Sequence, residues 1–230
     1  MHDFKEKSPL LFADEDAALQ RILKGTAAAT GEPFFAALVK SLAENLNTFS
    51  AWVTEYIEPS GHLRSLAFWA GGRFLPNFDM PLKGTPCQGV IENIEIVHYP
   101  DNVLNFFPND RDLKNFHAVS YMGVPLLSDD RKVLGNLAVL DTRPMPRKPR
   151  GVSIMKIFAA RAAAELQRLC AEADVHKREE KYRRIIETTG EGFLLMDQDF
   201  VIFDVNQAFC SMVGYGRQEV IGKTDRKSVV

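Results

Sequence analysis

Three cysteines and five histidines are the residues of this 230-residue chain best suited to nucleophilic, redox or metal chemistry. Cys87 is the most suggestive of them. It opens a predicted short helix, CQGVIEN, where free amide groups and the positive end of the helix dipole favour a thiolate. A thiolate there would suit a redox sensor or a nucleophile. Yet Cys170 and Cys210 fall in other predicted elements, so Cys87 has no resolving thiol near it in sequence and is expected to be structural. His62, His98 and His117 are scattered, with no pair at metal-ligand spacing, so no metal site is predicted and His117 as an axial haem ligand is disfavoured. No glycine-rich phosphate loop, nucleophile elbow or His-Glu-x-x-His pattern is present. The chain is expected not to be an enzyme.

Composition narrows the partners. With 46% apolar and 25% charged residues the chain can bury one full core and part of a second. A formal charge of −2, with lysine and arginine dispersed, offers no field for phosphate backbones or anionic lipid, so neither nucleic acid nor membrane contact is expected. An odd, widely spaced set of cysteines is no disulfide framework, and no uncharged stretch approaches the ~18 residues a spanning helix needs. The N-terminal MHDFKEKSPLLFADED has no apolar core before a small-residue cleavage site. A cytoplasmic location is expected.

The elements that would position these residues can be read from periodicity. Asp14 is a plausible cap for a helix bearing Leu19, Ile22 and Leu23, stopped at Gly25. A stronger helix follows in PFFAALVKSLAENLN, where Phe35, Leu38, Val39, Leu42 and Leu46 form an apolar stripe. Next, TFSAWVTEYI, a Pro59-Ser60-Gly61 turn and HLRSLAFWA predict a hairpin, with Phe49, Val53 and Ile57 on one face and Trp52 and Tyr56 on the other. A sheet apolar on both faces must be covered on both. Residues 71–118 predict loops, a strand at EIVHY and short helices at CQGVIEN and near NDRDLKNF. A second hairpin, SYMGVPLL to KVLGNLAVLD, supplies central strands. Five or six antiparallel strands are thus expected within residues 49–141, backed on one face by helices near 14–46 and 152–172. From Val152 a long helix carries Met155, Phe158, Ala162, Leu166, Leu169 and Ala173, then His176, three and four apart, before the charged HKREEKYRR. That spacing is expected to be the seam of a homodimer.

The order helix, helix, hairpin, insert, hairpin, long helix resembles the GAF domain. Tyr121-Met122-Gly123-Val124-Pro125-Leu126 followed by Gly135-Asn136-Leu137-Ala138-Val139-Leu140-Asp141 is similar to that family's last two strands, and Pro86-Cys87-Gln88-Gly89 to a helix start common in GAF domains of bacterial two-component and cyclic-di-GMP proteins. Further on, Glu191-Gly192, Asp197 to Asp199, Asn206, Gly214-Tyr215 and Ile221-Gly222 resemble the first half of a PAS domain. The fold class implied is α+β: a GAF-type antiparallel sheet flanked by helices, a long helical linker and an incomplete PAS-type α/β fragment. Its expected divisions are a tail 1–14, a GAF sensor 15–150, an exit helix and signalling linker 151–178 and an incomplete PAS domain 179–224. Residues 225–230, DRKSVV, resemble the translation of a common sequencing adapter and are set aside as an artefact.

The resemblance implies a bacterial sensory input and transmission module, feeding an output domain such as a histidine kinase or a diguanylate cyclase or phosphodiesterase. Two alternatives stand beside it, an enzyme like the GAF-type free methionine sulfoxide reductase and a ligandless dimerisation scaffold. Bilin attachment, which usually uses a Cys-His pair, is not expected because Gln88 follows Cys87, and no cyclic-nucleotide signature is discernible. No cofactor is assigned. A small-molecule site is expected between the sheet and the insert, with Trp52, Trp69, Phe74, Cys87, His98, Phe116 and Met122 as candidate lining. Trp52 and Trp69 would share one face if the hairpin register allows it.

Overall fold

A computed structural model describes residues 29–224. The predicted helix with Leu19, Ile22 and Leu23, the tail 1–14 and the terminal 225–230 lie outside the described residues. The amphipathic PFFAALVKSLAENL segment forms α1 (Glu32–Leu46), which ends where Asn47 takes the left-handed conformation at φ 52°. Its stripe of Phe35, Leu38, Val39 and Leu42 is buried, and it packs against β1 (Ser50–Ile57) and β2 (His62–Ala70). The turn between those strands is a 3₁₀ turn, Glu58–Ser60, closed by Gly61 at φ 64°, a conformation that favours glycine.

The rest of the first unit follows the expected order. After β3 (Arg73–Phe74) and β4 (Asp79–Pro81) come α2 (Pro86–Asn93), β5 (Val97–Tyr99), α3 (Val103–Phe106) and α4 (Arg111–Asn115). The second hairpin is β6 (Ser120–Leu127) and β7 (Val133–Asp141). All pairings are antiparallel and the order is β3-β2-β1-β7-β6-β5, with β4 also on β2. The sheet therefore has seven strands rather than five or six. The extra ones are the two- and three-residue pieces β3 and β4, too short to leave a two-residue periodicity in sequence.

Alternation along the strands gives two faces. Ala51, Val53, Ala67, Met122, Val124, Leu137 and Val139 are buried on one side, and Trp52, Phe68, Tyr121, Ala138 and Leu140 belong to a separate core with α2. Phe49, expected beside Val53, instead packs on Phe116 with rings 6.1 Å apart and joins the core of Trp52. It precedes β1 and escapes the alternation.

The long helix α5 runs Pro149–Thr188, starting three residues before the predicted Val152. Its first half belongs to the first unit. Gly31 N donates to Glu165 Oε1 at 2.6 Å, Arg161 stands 5.8 Å from the Phe34 ring, and Gln167 Nε2 donates to Asp129 Oδ2 at 3.2 Å.

The chain divides into two compact units near Leu169 and Cys170. In the second, β8 (Leu194–Met196) and β9 (Ile202–Val205) form a two-stranded sheet followed by α6 (Gln207–Val213) and α7 (Arg217–Val220). Asn206 is its organising residue. The buried amide accepts from Phe209 N and Phe193 N at 2.9 and 2.8 Å and donates to the Ile186 and Glu191 carbonyls, each at 2.9 Å. It caps α6, and Gly214 at φ 72° ends that helix.

Candidate functional site

On the face of the sheet that carries Trp52, the insert between β4 and β6 arches over the strands and leaves a cavity of about 240 Å³. Five rings form its walls: Trp52, Phe68, Phe78, Phe116 and Tyr121. They are mutually packed, with centroid separations of 6.1 Å for Trp52 to Phe68, 5.2 Å for Phe68 to Phe78, 5.8 Å for Phe68 to Phe116 and 6.0 Å for Trp52 to Tyr121. Met80, Leu113 and Leu140 are among the other apolar lining residues, and Ser50, Cys87, Asp110 and Asp112 add polar groups.

Cys87, in the first turn of α2, is part of the lining and is fully buried. The Tyr121 hydroxyl donates to its Sγ at 3.3 Å and Asn136 Nδ2 at 3.5 Å, while Thr54 Oγ1 donates to Asn136 Oδ1 at 2.6 Å. These four side chains form one buried polar chain. Burial pushes the Cys87 thiol up to about 11, against the smaller lowering effect of hydrogen bonds from Tyr121 and Asn136. The helix start therefore does not yield a thiolate, because desolvation in a closed core outweighs the dipole. Tyr121 is likewise raised by burial, then by the adjacent Cys87.

Two groups in the lining are left without protein partners suited to them. Trp52 is 8% exposed, and its indole Nε1 has no hydrogen-bond acceptor within the described residues. Asp110 caps α4, its Oδ1 accepting from Asp112 N and Leu113 N at 3.0 and 3.1 Å. No lysine or arginine pairs with this half-buried carboxylate among the described residues, and burial raises its pKa above the ordinary value.

The cavity collects Trp52, Cys87 and Phe116 from the candidates and excludes Trp69, Phe74, His98 and Met122. The register explains all four exclusions. Trp52 stands opposite Phe68, so Trp69 points to the other side, where Phe74 packs on it at 4.8 Å and Lys40 sits 5.4 Å from its ring. Tyr121 faces the cavity, so its neighbour Met122 does not, and His98, paired with Met122, donates from Nε2 to the Met145 carbonyl at 2.8 Å. Phe68, Phe78, Asp110 and Tyr121 were missed. Strand alternation would have found Phe68 and Tyr121 had the register been known, and Asp110 was legible only as a helix cap. His62 and His117 are exposed, and the described residues hold no metal-ligand cluster.

The linker seam needs correction as well. Met155, Phe158, Ala162 and Leu166 are 0–3% exposed, enclosed in the chain's own core, so they cannot face a second copy. Spacing of three and four describes a helix packed on its own domain as well as a coiled coil. Leu169 remains half-buried and Ala173 exposed.

A family model described as GAF domain matches residues 14–166, and one described as PAS fold matches residues 180–229. No curated protein matches. Among solved structures, the GAF domain of an Acinetobacter phosphoenolpyruvate-protein phosphotransferase is similar at 17% identity and TM-score 0.57, covering 70% of this chain and 98% of that one. A free methionine-R-sulfoxide reductase from Neisseria meningitidis, solved with its substrate, is similar at 18% identity and TM-score 0.56, covering 73% and 96%. A bacteriophytochrome from R. palustris is similar at 13% identity and TM-score 0.53, covering 80% of this chain and 44% of that one. At these identities the likeness is one of fold.

Proposed function

We propose, from the premise that this chain belongs to the GAF domain family and carries a PAS fold behind it, that it binds a small molecule in the aromatic cavity and passes the binding signal on through α5. A GAF domain followed by a PAS fold is a sensory signalling module. The single observation that carries the finer reading is a cavity of about 240 Å³ lined by five mutually packed aromatic rings. A filled scaffold core would leave no such void. The signal would leave along α5 to the PAS unit and an output domain of the histidine kinase, diguanylate cyclase or phosphodiesterase kind, in the cytoplasm. Among the described residues no helix is long and apolar enough to cross a membrane. Pairing of two copies along α5 is proposed for the stretch from Leu169 and Ala173 onward.

Sulfoxide reduction, the activity named for the Neisseria neighbour, is the less supported reading. A cysteine nucleophile acts as thiolate, and Cys87 is held protonated with its pKa near 11. Binding without turnover fits that better.

The test is capture of a neutral aromatic probe, 4-ethylphenol, by the intact chain, followed by calorimetry and by the two tryptophan indole N–H resonances. The Trp52 signal should move and that of Trp69 stay, and the probe should raise the melting temperature of the first unit. Leu140→Trp, which fills the cavity from a lining position, should abolish both effects. Absence of any response in the wild-type chain overturns the reading.

A further inference from the structure

The cavity is lopsided in its polar groups. In its lining the half-buried Asp110 carboxylate has no cation. Asp112, exposed on the same lining, adds a second negative charge. The same lining holds five aromatic rings, whose faces attract positive charge and repel negative. No basic side chain lines the cavity.

Each feature excludes some ligands. Carboxylates and phosphates would be placed beside two aspartates and over ring faces with no cation to receive them. A purely apolar molecule would fill the space but leave the half-buried Asp110 carboxylate without a counter-charge. At the ~30 Å³ that one water takes up in the liquid, 240 Å³ corresponds to about eight water-sized groups, room for one compact organic molecule. Resting on the reading that this cavity is a ligand site, we infer that its ligand is a small organic cation: an ammonium group held by Asp110 and the aromatic faces, on a compact apolar body.

The raised Asp110 pKa agrees with this geometry. Burial without a neighbouring cation disfavours the carboxylate, and a ligand ammonium would supply the missing charge. The cap that Asp110 provides to α4 fixes the carboxylate at the cavity wall before any ligand arrives.

Matched probes separate this inference from the cavity reading beneath it. Tyramine carries a phenol oxygen and an ammonium, 4-ethylphenol has the same oxygen without the charge, phenethylamine the charge without the oxygen, and 3-(4-hydroxyphenyl)propionate reverses the charge. With the wild-type chain, tyramine should bind about tenfold or more tighter than 4-ethylphenol, a ratio within reach of one desolvated cation–π and ammonium–carboxylate site. The propionate should bind weakest, and phenethylamine should also outbind 4-ethylphenol. Asp110→Asn keeps a capping side chain and should level tyramine with 4-ethylphenol. If that variant loses its helical signal, the wild-type ranking alone decides. Equal affinity for tyramine and 4-ethylphenol overturns the cation class and leaves the cavity reading standing. Failure of every probe overturns both. A tyramine preference that survives in folded Asp110→Asn overturns the role given to that carboxylate.

Discussion

Gly123 lies on the cavity side of β6, opposite Ala138, and Gly123→Ala is expected to destabilise the first unit by about 2–5 kcal/mol. An added Cβ would stand 2.3 Å from the Tyr121 hydroxyl and 2.7 Å from Val90 Cγ2. Ordinary contact begins near 3.4 Å, so the phenol would have to move by about 1 Å. Tyr121 is fully buried between Trp52 and Cys87 and has no open space to move into. Overpacking of a closed core costs ~1–3 kcal/mol, and separating the hydroxyl from Cys87 Sγ strands a buried donor at a further ~1–3 kcal/mol. Removing a strand glycine recovers only ~0.5–1 kcal/mol of backbone entropy, so the steric terms win. Urea unfolding followed by tryptophan fluorescence measures the loss, because Trp52 and Trp69 both belong to the first unit. Combining Gly123→Ala with Tyr121→Phe removes the nearest clashing atom and should show a favourable coupling of about 1 kcal/mol or more. A loss below ~0.5 kcal/mol, or no coupling, would refute the packing argument.

Three further outcomes are expected. Cys87 should resist alkylation at pH 8 in the folded chain. Because its pKa rises from an ordinary 9.0 to about 11 on folding, the stability it contributes is complete below pH 9 and is lost between pH 9 and 11, by on the order of 3 kcal/mol. Cys87→Ala should flatten that alkaline decline relative to wild type, and parallel urea midpoints up to pH 10.5 would contradict it. Asn206→Ala removes four hydrogen bonds at one buried amide and should abolish hydrogen-exchange protection at Phe193 and Phe209 while leaving the first unit protected; retained protection would count against its organising role. Leu169→Asp with Ala173→Asp should give a folded monomer by sedimentation, whereas Leu166→Asp should unfold the first unit, and a wild-type chain monomeric at high concentration would remove the pairing proposal.

Much of the architecture was legible because it is written in periods. The stripe of α1 and the two hairpins each follow from local chemistry, and the structure places them within a few residues of expectation. The cavity was legible only in part. Trp52, Cys87 and Phe116 line it, but Trp69 and Met122 do not, although each is a large apolar residue on a strand that borders it. Which of two adjacent residues looks into a site depends on register, and a shift of one residue exchanges the faces. The Trp52 to Phe68 pairing depends on the 3₁₀ turn at Glu58–Ser60 and on the register shift between Val53 and Thr54, neither of which residue types alone specify.

The α5 seam fails for a related reason, and there the ambiguity is deeper. Met155, Phe158, Ala162 and Leu166 recur as a coiled-coil seam would, yet they are spent on the chain's own core. A helix offers one stripe, and periodicity states that the stripe is buried without stating against what. What distinguishes the two cases is the next turn. Beyond Leu166 every residue from Ala171 to Ile185 is exposed, with Val175, Tyr182 and Ile185 standing out at 56%, 64% and 51% exposure among charges of both signs. The helix thus changes its burial pattern between Leu166 and Ala171 with no break in its backbone ladder, since Pro149–Thr188 is one element. Any pairing along it must draw on the residues past that change, and their exposed surface is small and interrupted by charge. Association through so thin a stripe would be weak and adjustable, since burial of each large side chain contributes ~1.5–3 kcal/mol against the entropy of bringing two chains together.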